Sequence, residues 1–209
     1  MVLTEVGEVG LSVGDVTHVL RPSLYAMSKL GEPVEIVELF ARMMAEPHGE
    51  KARWRQFSDA LCILHCCADS DISEVVGYFN ERLKYVYKKA DLEDIITIAR
   101  HLMRHGIIGV LPEQPRRHDA KQEYTKEFIA RDHVAAAMAH LGVSEREAWN
   151  MTMTALVGAL RSKYPPSSKD SPGANAPTLE EHEATMAWAD AVEEKRRKML
   201  EVKHKKVVH

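Results

Sequence analysis

"VGEVGLSVGDVTHVLRPSLYAMSKLGEPVEIVELFARMM", residues 6–44, decides the fold, because a strand pair hands over to a helix inside it. Val6, Val9, Leu11 and Val13 flank Gly7, Gly10 and Gly14, and Gly14–Asp15 is a turn signal followed by a second β-prone run from Val16 to Leu20. Pro22 fixes its own φ and disfavours α geometry at Arg21, so the strand stops there. Ser23 can then cap the helix that follows, because its side-chain oxygen can take one of the unpaired N–H groups of a first turn.

Beyond this hairpin the apolar spacing is helical. From Pro33, "PVEIVELFARMMAE" puts Pro at a tolerated first-turn position and Val34, Val37, Phe40, Ala41 and Met44 on one side. A second helix is expected from about Lys51 to Ala68 with Trp54, Phe57, Leu61 and Leu64, ended by Asp69–Ser70–Asp71. A third is expected from Ile72 to Lys89 with Val75, Val76, Phe79, Leu83 and Val86. Asp91 is the expected cap of a fourth, whose stripe is Leu92, Ile95, Ile96, Ala99 and Leu102. Pro112 and Pro115 make Gly106 to about Gln122 a loop. A helix from Tyr124 to His140 then leads through Leu141–Gly142 to a last one, where Ser144 and Glu147 have capping-box spacing and Trp149, Met153, Leu156 and Leu160 recur at helical intervals.

After Tyr164 the composition changes. "PPSSKDSPGANAP", residues 165–177, contains almost nothing that could be buried and reads as a flexible linker. Residues 178–209 read as a charged amphipathic helix and tail. Thr178 and Glu181 have capping-box spacing, acidic residues come early and basic ones late, and Met186, Ala189 and Val192 give a narrow apolar face around Trp188. The expected fold is therefore mainly α: a compact helical domain over residues 1–164 of five to seven helices, with a small N-terminal β-hairpin and a linker-joined C-terminal helix.

The chain has 209 residues, 45% of them apolar, and a formal charge of −3, so nothing global draws it to nucleic acid. Its three cysteines all fall between positions 62 and 67 and form no spaced disulfide framework, which fits a reducing compartment. No signal peptide and no run of apolar residues long enough for a membrane span is read.

Three groups of residues carry possible chemistry. Cys62, His65 and Cys66, at i, i+3 and i+4 of a helix, could contribute to a zinc site, but no fourth ligand stands out and core packing is the favoured reading. His101 and His105 are a turn apart without the glutamate of a zinc-protease motif; His105 is placed to complement a helix C-terminus and His101 reads as surface. Asp91, Glu93 and Asp94 suit a helix N-terminus. No nucleophile elbow or phosphate loop is found, and the expectation is of a non-enzyme with no catalytic residues, cofactor or metal.

The opening segment resembles the N-terminus of the small tail assembly chaperones of long-tailed bacteriophages and gene transfer agents. These open with Gly-Glu-Val-x-Leu, a glycine turn and Leu-Arg-Pro-Ser/Thr before a helix carrying an alanine. The matching residues are Gly7, Glu8, Val9, Leu11, Gly14, Leu20, Arg21, Pro22, Ser23 and Ala26, within about a fifth of the chain. "HLGVSEREAWNMTMTALVGALRSKY", residues 140–164, resembles the late helix of the same family. The resemblance implies a protein of the host cytoplasm that coats the tape measure protein, keeps its long helices soluble, helps recruit tail tube subunits and is absent from the finished virion. In several members a frameshifted product carries an extra C-terminal segment that engages tube subunits, a part open to the terminal helix here. The residues expected to touch partners are Arg21, Met186, Trp188 and Val192; self-association is open, and neither membrane nor nucleic acid is an expected partner.

Two alternatives stand beside this one. A nucleic-acid-associated helical protein would use Arg116, Arg117 and Lys121, or the Lys195–Lys206 arm, against phosphates. A metal-dependent enzyme would centre on Cys62, His65 and Cys66.

Overall fold

The computed structural model describes residues 1–82, 84–111, 125–165 and residue 186. One compact unit runs from Met1 to Pro165 and a second comprises Pro166–His209. The linker at 165–177 and the terminal helix at 178–209 lie outside the described residues apart from Pro165 and Met186. So do Arg116, Arg117, Lys121 and Lys195–Lys206.

The first unit is mainly helical with a small N-terminal antiparallel hairpin. Strand β1 (Val9–Val13) pairs with β2 (Val16–Leu20) in the register Val9 to Leu20 and Val13 to Val16. Gly14 turns the chain at φ 59°, in the left-handed region that costs glycine least. Val6 falls outside the strand, in a single 3-10 turn over Thr4–Val6. Alternation sends Val9, Leu11 and Val13 toward the core, and Leu20 is completely buried.

Ser23 accepts a hydrogen bond from the Ala26 amide at 3.1 Å and starts helix α1 (Leu24–Ser28), as Pro22 and Ser23 predict. The far edge of β2 is then occupied by chain leaving a later helix. Leu20 bridges Ala68, the Arg21 amide donates to the Cys67 carbonyl at 2.8 Å, and the Asp69 amide donates to the Val19 carbonyl at 3.1 Å.

Helix α2 (Pro33–Met44) begins at Pro33 as expected, with Glu35 accepting from the Glu32 amide at 2.8 Å. Its buried stripe is Ile36, Leu39 and Met43, and Val34 is exposed, so the expected face through Val34 and Ala41 is rotated. Val37, Phe40 and Met44 flank the true stripe. The expected face counted apolar residues without knowing which side meets α3.

Helix α3 (Glu50–Cys67) and helix α5 (Leu92–Met103) are the central pair, packed through Phe57, Ala60, Leu61 and Leu64 on one and Ile95, Ile96, Ala99 and Leu102 on the other. Asp91 occupies the N-cap position of α5, but its side chain makes no capping hydrogen bond. The helix expected over Ile72–Lys89 does not form. A single helical turn, α4 (Ser73–Val76), ends at Gly77 (φ 81°), and β3 (Tyr78–Phe79) and β4 (Tyr85–Val86) follow as a second hairpin. The Asn80 side-chain oxygen accepts from the amides of Arg82 and Lys84, both at 3.0 Å, and this local bonding outcompetes helical spacing.

Helix α5 runs into a wider π turn over Arg104–Ile108 before the chain leaves helical geometry. Helix α6 (Ala130–Leu141) starts later than the expected Tyr124 and ends on Gly142 at φ 71°. The capping box of Ser144 and Glu147 forms, with the two reciprocal bonds at 3.3 and 2.9 Å. The helix it opens, α7 (Glu145–Asn150), is short. The expected continuous helix through Trp149 and Met153 breaks at Met151, and Thr152 caps a separate α8 (Met153–Lys163) by accepting from Ala155 at 3.1 Å. The break has a tertiary cause: Ser23 and Thr152 bridge as isolated β partners, and the Leu24 amide donates to the Met151 carbonyl at 2.8 Å. Eight α-helices result among the described residues, beyond the five to seven expected, because the break at Met151 divides the last expected helix in two.

Candidate interaction surface

The second hairpin exists to carry aromatic rings onto α3. Phe57 and Tyr85 meet edge to face at 4.8 Å, Trp54 lies 5.4 Å from Phe57 and 6.2 Å from Phe79, and Tyr87 meets Tyr85 edge to face at 4.6 Å. The Tyr85 hydroxyl donates to the Val76 carbonyl, and burial raises its pKa, keeping it a donor. A side chain at Gly77 would strike the Val86 carbonyl at 2.4 Å, so the turn depends on glycine. Phe57 is buried, whereas Trp54 is 44% and Tyr87 62% exposed. The cluster is anchored at one end and open at the other.

Beside it lies a groove of about 720 Å³ floored by Trp54, Phe57, Leu92 and Ile96. Its rim carries charges of both signs, Glu46, Glu50 and Glu93 with Arg53 and Arg100, and Arg53 reaches Glu93 at 4.0 Å. One wall is set by side chains that satisfy the end of α2. Gln56 Nε2 donates to the carbonyls of Arg42 at 2.9 Å and Ala45 at 2.9 Å, and Arg100 Nε donates to that of Met43 at 2.7 Å. The last carbonyls of α2 have no partners within their own helix, so two neighbouring helices supply them. None of Gln56, Tyr85, Tyr87 or Arg100 was singled out from sequence. The alternation of Tyr85 and Tyr87 about Val86, after an Asn-Glu-Arg turn, was the available signal.

Arg21 is placed differently from a free recognition side chain. Its Nε donates to Glu8 Oε1 at 2.5 Å; the arginine is 46% exposed and Glu8 2%. Glu8 Oε2 takes the Leu3 amide at 2.8 Å, so both carboxylate oxygens are engaged. One side of the guanidinium secures the base of the hairpin and the remainder faces outward. Met186 is in helical backbone and 52% exposed, while Trp188 and Val192 lie outside the described residues.

A smaller apolar recess of about 600 Å³ sits where α1 meets α7, between Tyr25 and Trp149, whose rings meet edge to face at 6.3 Å. Lys29 Nζ lies 5.1 Å from the Tyr25 ring centre. Met153 and Leu156 are buried, but Trp149 turns toward this recess in place of sharing one long face with them.

The three cysteines divide. Cys67 is buried and its thiol is pushed up to about 12, chiefly by burial. Cys62 is exposed and Cys66 half-buried, which departs from the core packing expected for the cluster. The neighbouring Cys62 thiol and then Lys29 act to lower the Cys66 thiol to about 7 against its burial, and Cys62 is raised in return. His65 Nε2 lies 3.3 Å from the Gly77 carbonyl, turned to the second hairpin. Among the described residues no three His, Cys, Asp or Glu side chains gather as a metal site.

A family model described as a family of unknown function (DUF6246) matches residues 48–184. The chain belongs to that family. The match takes in α3 and every later element among the described residues, hence the aromatic cluster and most of the groove, whereas the N-terminal hairpin, α1 and α2 precede it. No curated protein and no solved structure matches the chain.

Proposed function

We propose that this DUF6246 protein is a binding protein that acts in phage tail morphogenesis as an assembly chaperone. In this reading it holds the tape measure protein soluble in the host cytoplasm, helps bring tail tube subunits to it, and is left out of the finished virion. It acts by contact and release without catalysis or cofactor. The observation that carries the binding role is the half-open aromatic cluster on α3: Trp54 and Tyr87 expose ring surface, held there by Phe57 and Tyr85, and Trp54 lines a groove of mixed polar and apolar surface. Exposed aromatic surface on a rigid support, rimmed by charge, is what a reversible protein contact requires. The tail-assembly assignment rests on the Gly7–Ala26 resemblance. The hairpin, the halt at Pro22 and the Ser23 cap give it a physical form in this chain.

Co-expression with the tape measure and tail tube proteins of the same genome tests it. The full chain is expected to recover soluble tape measure protein on pull-down, and Trp54→Ala to recover less while folding normally. A version ending at Tyr164 that loses the tube subunit alone assigns recruitment to residues after 164. No association with either protein, together with salt-dependent retention on DNA, overturns the reading in favour of a nucleic-acid-associated protein.

A further inference from the structure

His101 and His105, one turn apart at the end of α5 and its π turn, stack with ring centres 4.4 Å apart and an interplanar angle of 39°. His105 does lie at a helix end, as its position in the sequence predicts, but His101 is not the surface residue expected: both are half-buried. Three elements converge on the pair. From α8, the buried Thr154 places its hydroxyl 2.9 Å from His105 Nδ1, and the same oxygen accepts from the Val110 amide at 3.0 Å. From the N-terminal segment, Gly7 packs so closely against His105 that a Cβ there would collide with the His105 Cβ and ring. Gly7 closes the Thr4–Val6 turn at φ 91°.

We propose that the His101–His105 pair is a proton-sensitive latch that holds the N-terminal turn, residues 1–8, onto the core and releases it under mild acid. Two stacked imidazoles tolerate at most one added charge, since two cations this close repel strongly where water is scarce. The groups that face the pair do little to offset a proton. Arg104 on the same turn adds to the repulsion at His101, α8 offers the neutral Thr154 hydroxyl, and the Gly7 backbone favours a proton on His101 but is outweighed there by burial. The nearest buried carboxylate of that segment, Glu8, is committed to Arg21 and to the Leu3 amide. Burial accordingly lowers both histidines below their ordinary value of 6.5, and each further lowers the other or is lowered by a neighbouring cation. Swinging one ring into water relieves the repulsion, and that ring is the surface on which Gly7 rests.

What opens is limited in extent. Four amides report the turn: Leu3 donating to Glu8, Val6 and Glu8 to the Leu3 carbonyl, and Gly7 to the Thr4 carbonyl. The amides of Arg21 and Asp69, which join β2 to the chain after α3, are bonded outside the turn, although the Arg21 side chain also holds Glu8. Val2, whose side chain lies 3.1 Å from where a Gly10 Cβ would sit, leaves with the turn and uncovers that face of β1.

Hydrogen exchange on the full chain, with intrinsic rates corrected for pH, tests the latch between about pH 7.5 and pH 5.5. Protection at Leu3, Val6, Gly7 and Glu8 is expected to fall several-fold, with a ceiling of about tenfold per pH unit for each proton taken up. Protection at Arg21 and Asp69 is expected to hold. His101→Phe, which keeps a flat ring and removes the charge, is expected to flatten the pH dependence. Unchanged protection of the turn in wild type, or a full loss persisting in a folded His101→Phe variant, overturns the proposal. Should that variant fail to fold, NMR titration of the wild-type rings decides: both below the ordinary histidine value supports the latch, and either at or above it overturns it.

Discussion

Glu8 and Arg21 close the base of the N-terminal hairpin, the buried carboxylate receiving the arginine at 2.5 Å while the guanidinium stays half in water. Replacing Arg21 with Met is expected to leave a charged, buried Glu8 with the Leu3 amide as its remaining partner. A cost of about 1–3 kcal/mol is expected, below that of a wholly buried ion pair because Arg21 is part-exposed. Glu8→Gln should cost less, since the amide oxygen still accepts from Leu3. Urea denaturation of both variants checks the order. A loss of partner binding in Arg21→Met is therefore to be read only after its stability has been measured.

Gln56→Leu removes the buried donor that serves the carbonyls of Arg42, Met43 and Ala45, leaving the part-buried end of α2 short of partners. A loss of about 1–3 kcal/mol is expected. Arg100→Leu should act on the same helix end, so the double variant is expected to lose less than the sum of the two, as thermal unfolding of all three would reveal.

Gly77→Ala forces a φ of 81° on alanine and drives its Cβ into the Val86 carbonyl. The β3–β4 hairpin is expected to lift from α3, at about 1–3 kcal/mol. Trp54 fluorescence should shift to the red, and the near-ultraviolet circular dichroism of the aromatic cluster should weaken, with α-helical signal retained.

Reactivity separates the cysteines. Iodoacetamide is expected to label Cys66 first in the native protein, to label the exposed but more firmly protonated Cys62 more slowly, and to reach Cys67 only after denaturation, because burial holds that thiol protonated and out of contact. Peptide mass spectrometry before and after adding urea distinguishes them.

Acid should destabilise the whole fold. Burial lowers His101, His105 and His133 from 6.5, so as pH falls the unfolded chain takes up protons before the folded one does. Their contribution is fully present above about pH 6.5 and declines from there to the lower folded values. Asp71 and Glu147, lowered mainly by hydrogen bonds from Ser73 and Ser144, act later and in the same direction, their contribution being lost as pH falls through the carboxylate range. Urea midpoints at about pH 7.5 and pH 5 are expected to differ, the acid value being lower.

The parts of the fold that follow from neighbouring residues were legible in the sequence. Gly14–Asp15 gave the turn, Pro22 and Ser23 the strand-to-helix change, and Ser144 with Glu147 the capping box, since each acts over three or four residues. Residues 72–89 misled because Val75, Phe79 and Val86 are spaced for a helix, while Gly77 and Asn80, which break it, act through a positive φ and a side-chain-to-backbone bond that periodicity ignores. The break at Met151 has no local signal strong enough to find, because its cause is Ser23, far away in the chain. The candidate surface was half legible. Trp54 and Phe57 stood on the expected helix, but Tyr85 and Tyr87 reach them only once the second hairpin forms.

The bridge between Ser23 and Thr152 also bears on the order of events at the ribosome. The segment just after the first hairpin is synthesised early, yet its Leu24 amide waits for the Met151 carbonyl, made near the end of the described unit. Docking of α1 therefore depends on a contact of long sequence separation, which is late and slow relative to local helix formation. Nascent chains stopped short of residue 151 would lack the acceptor of the Leu24 amide, on a helix whose Leu24 and Met27 are wholly buried in the finished protein. The chain would thus pass through a vulnerable interval during translation, one that closes only as α7 and α8 emerge.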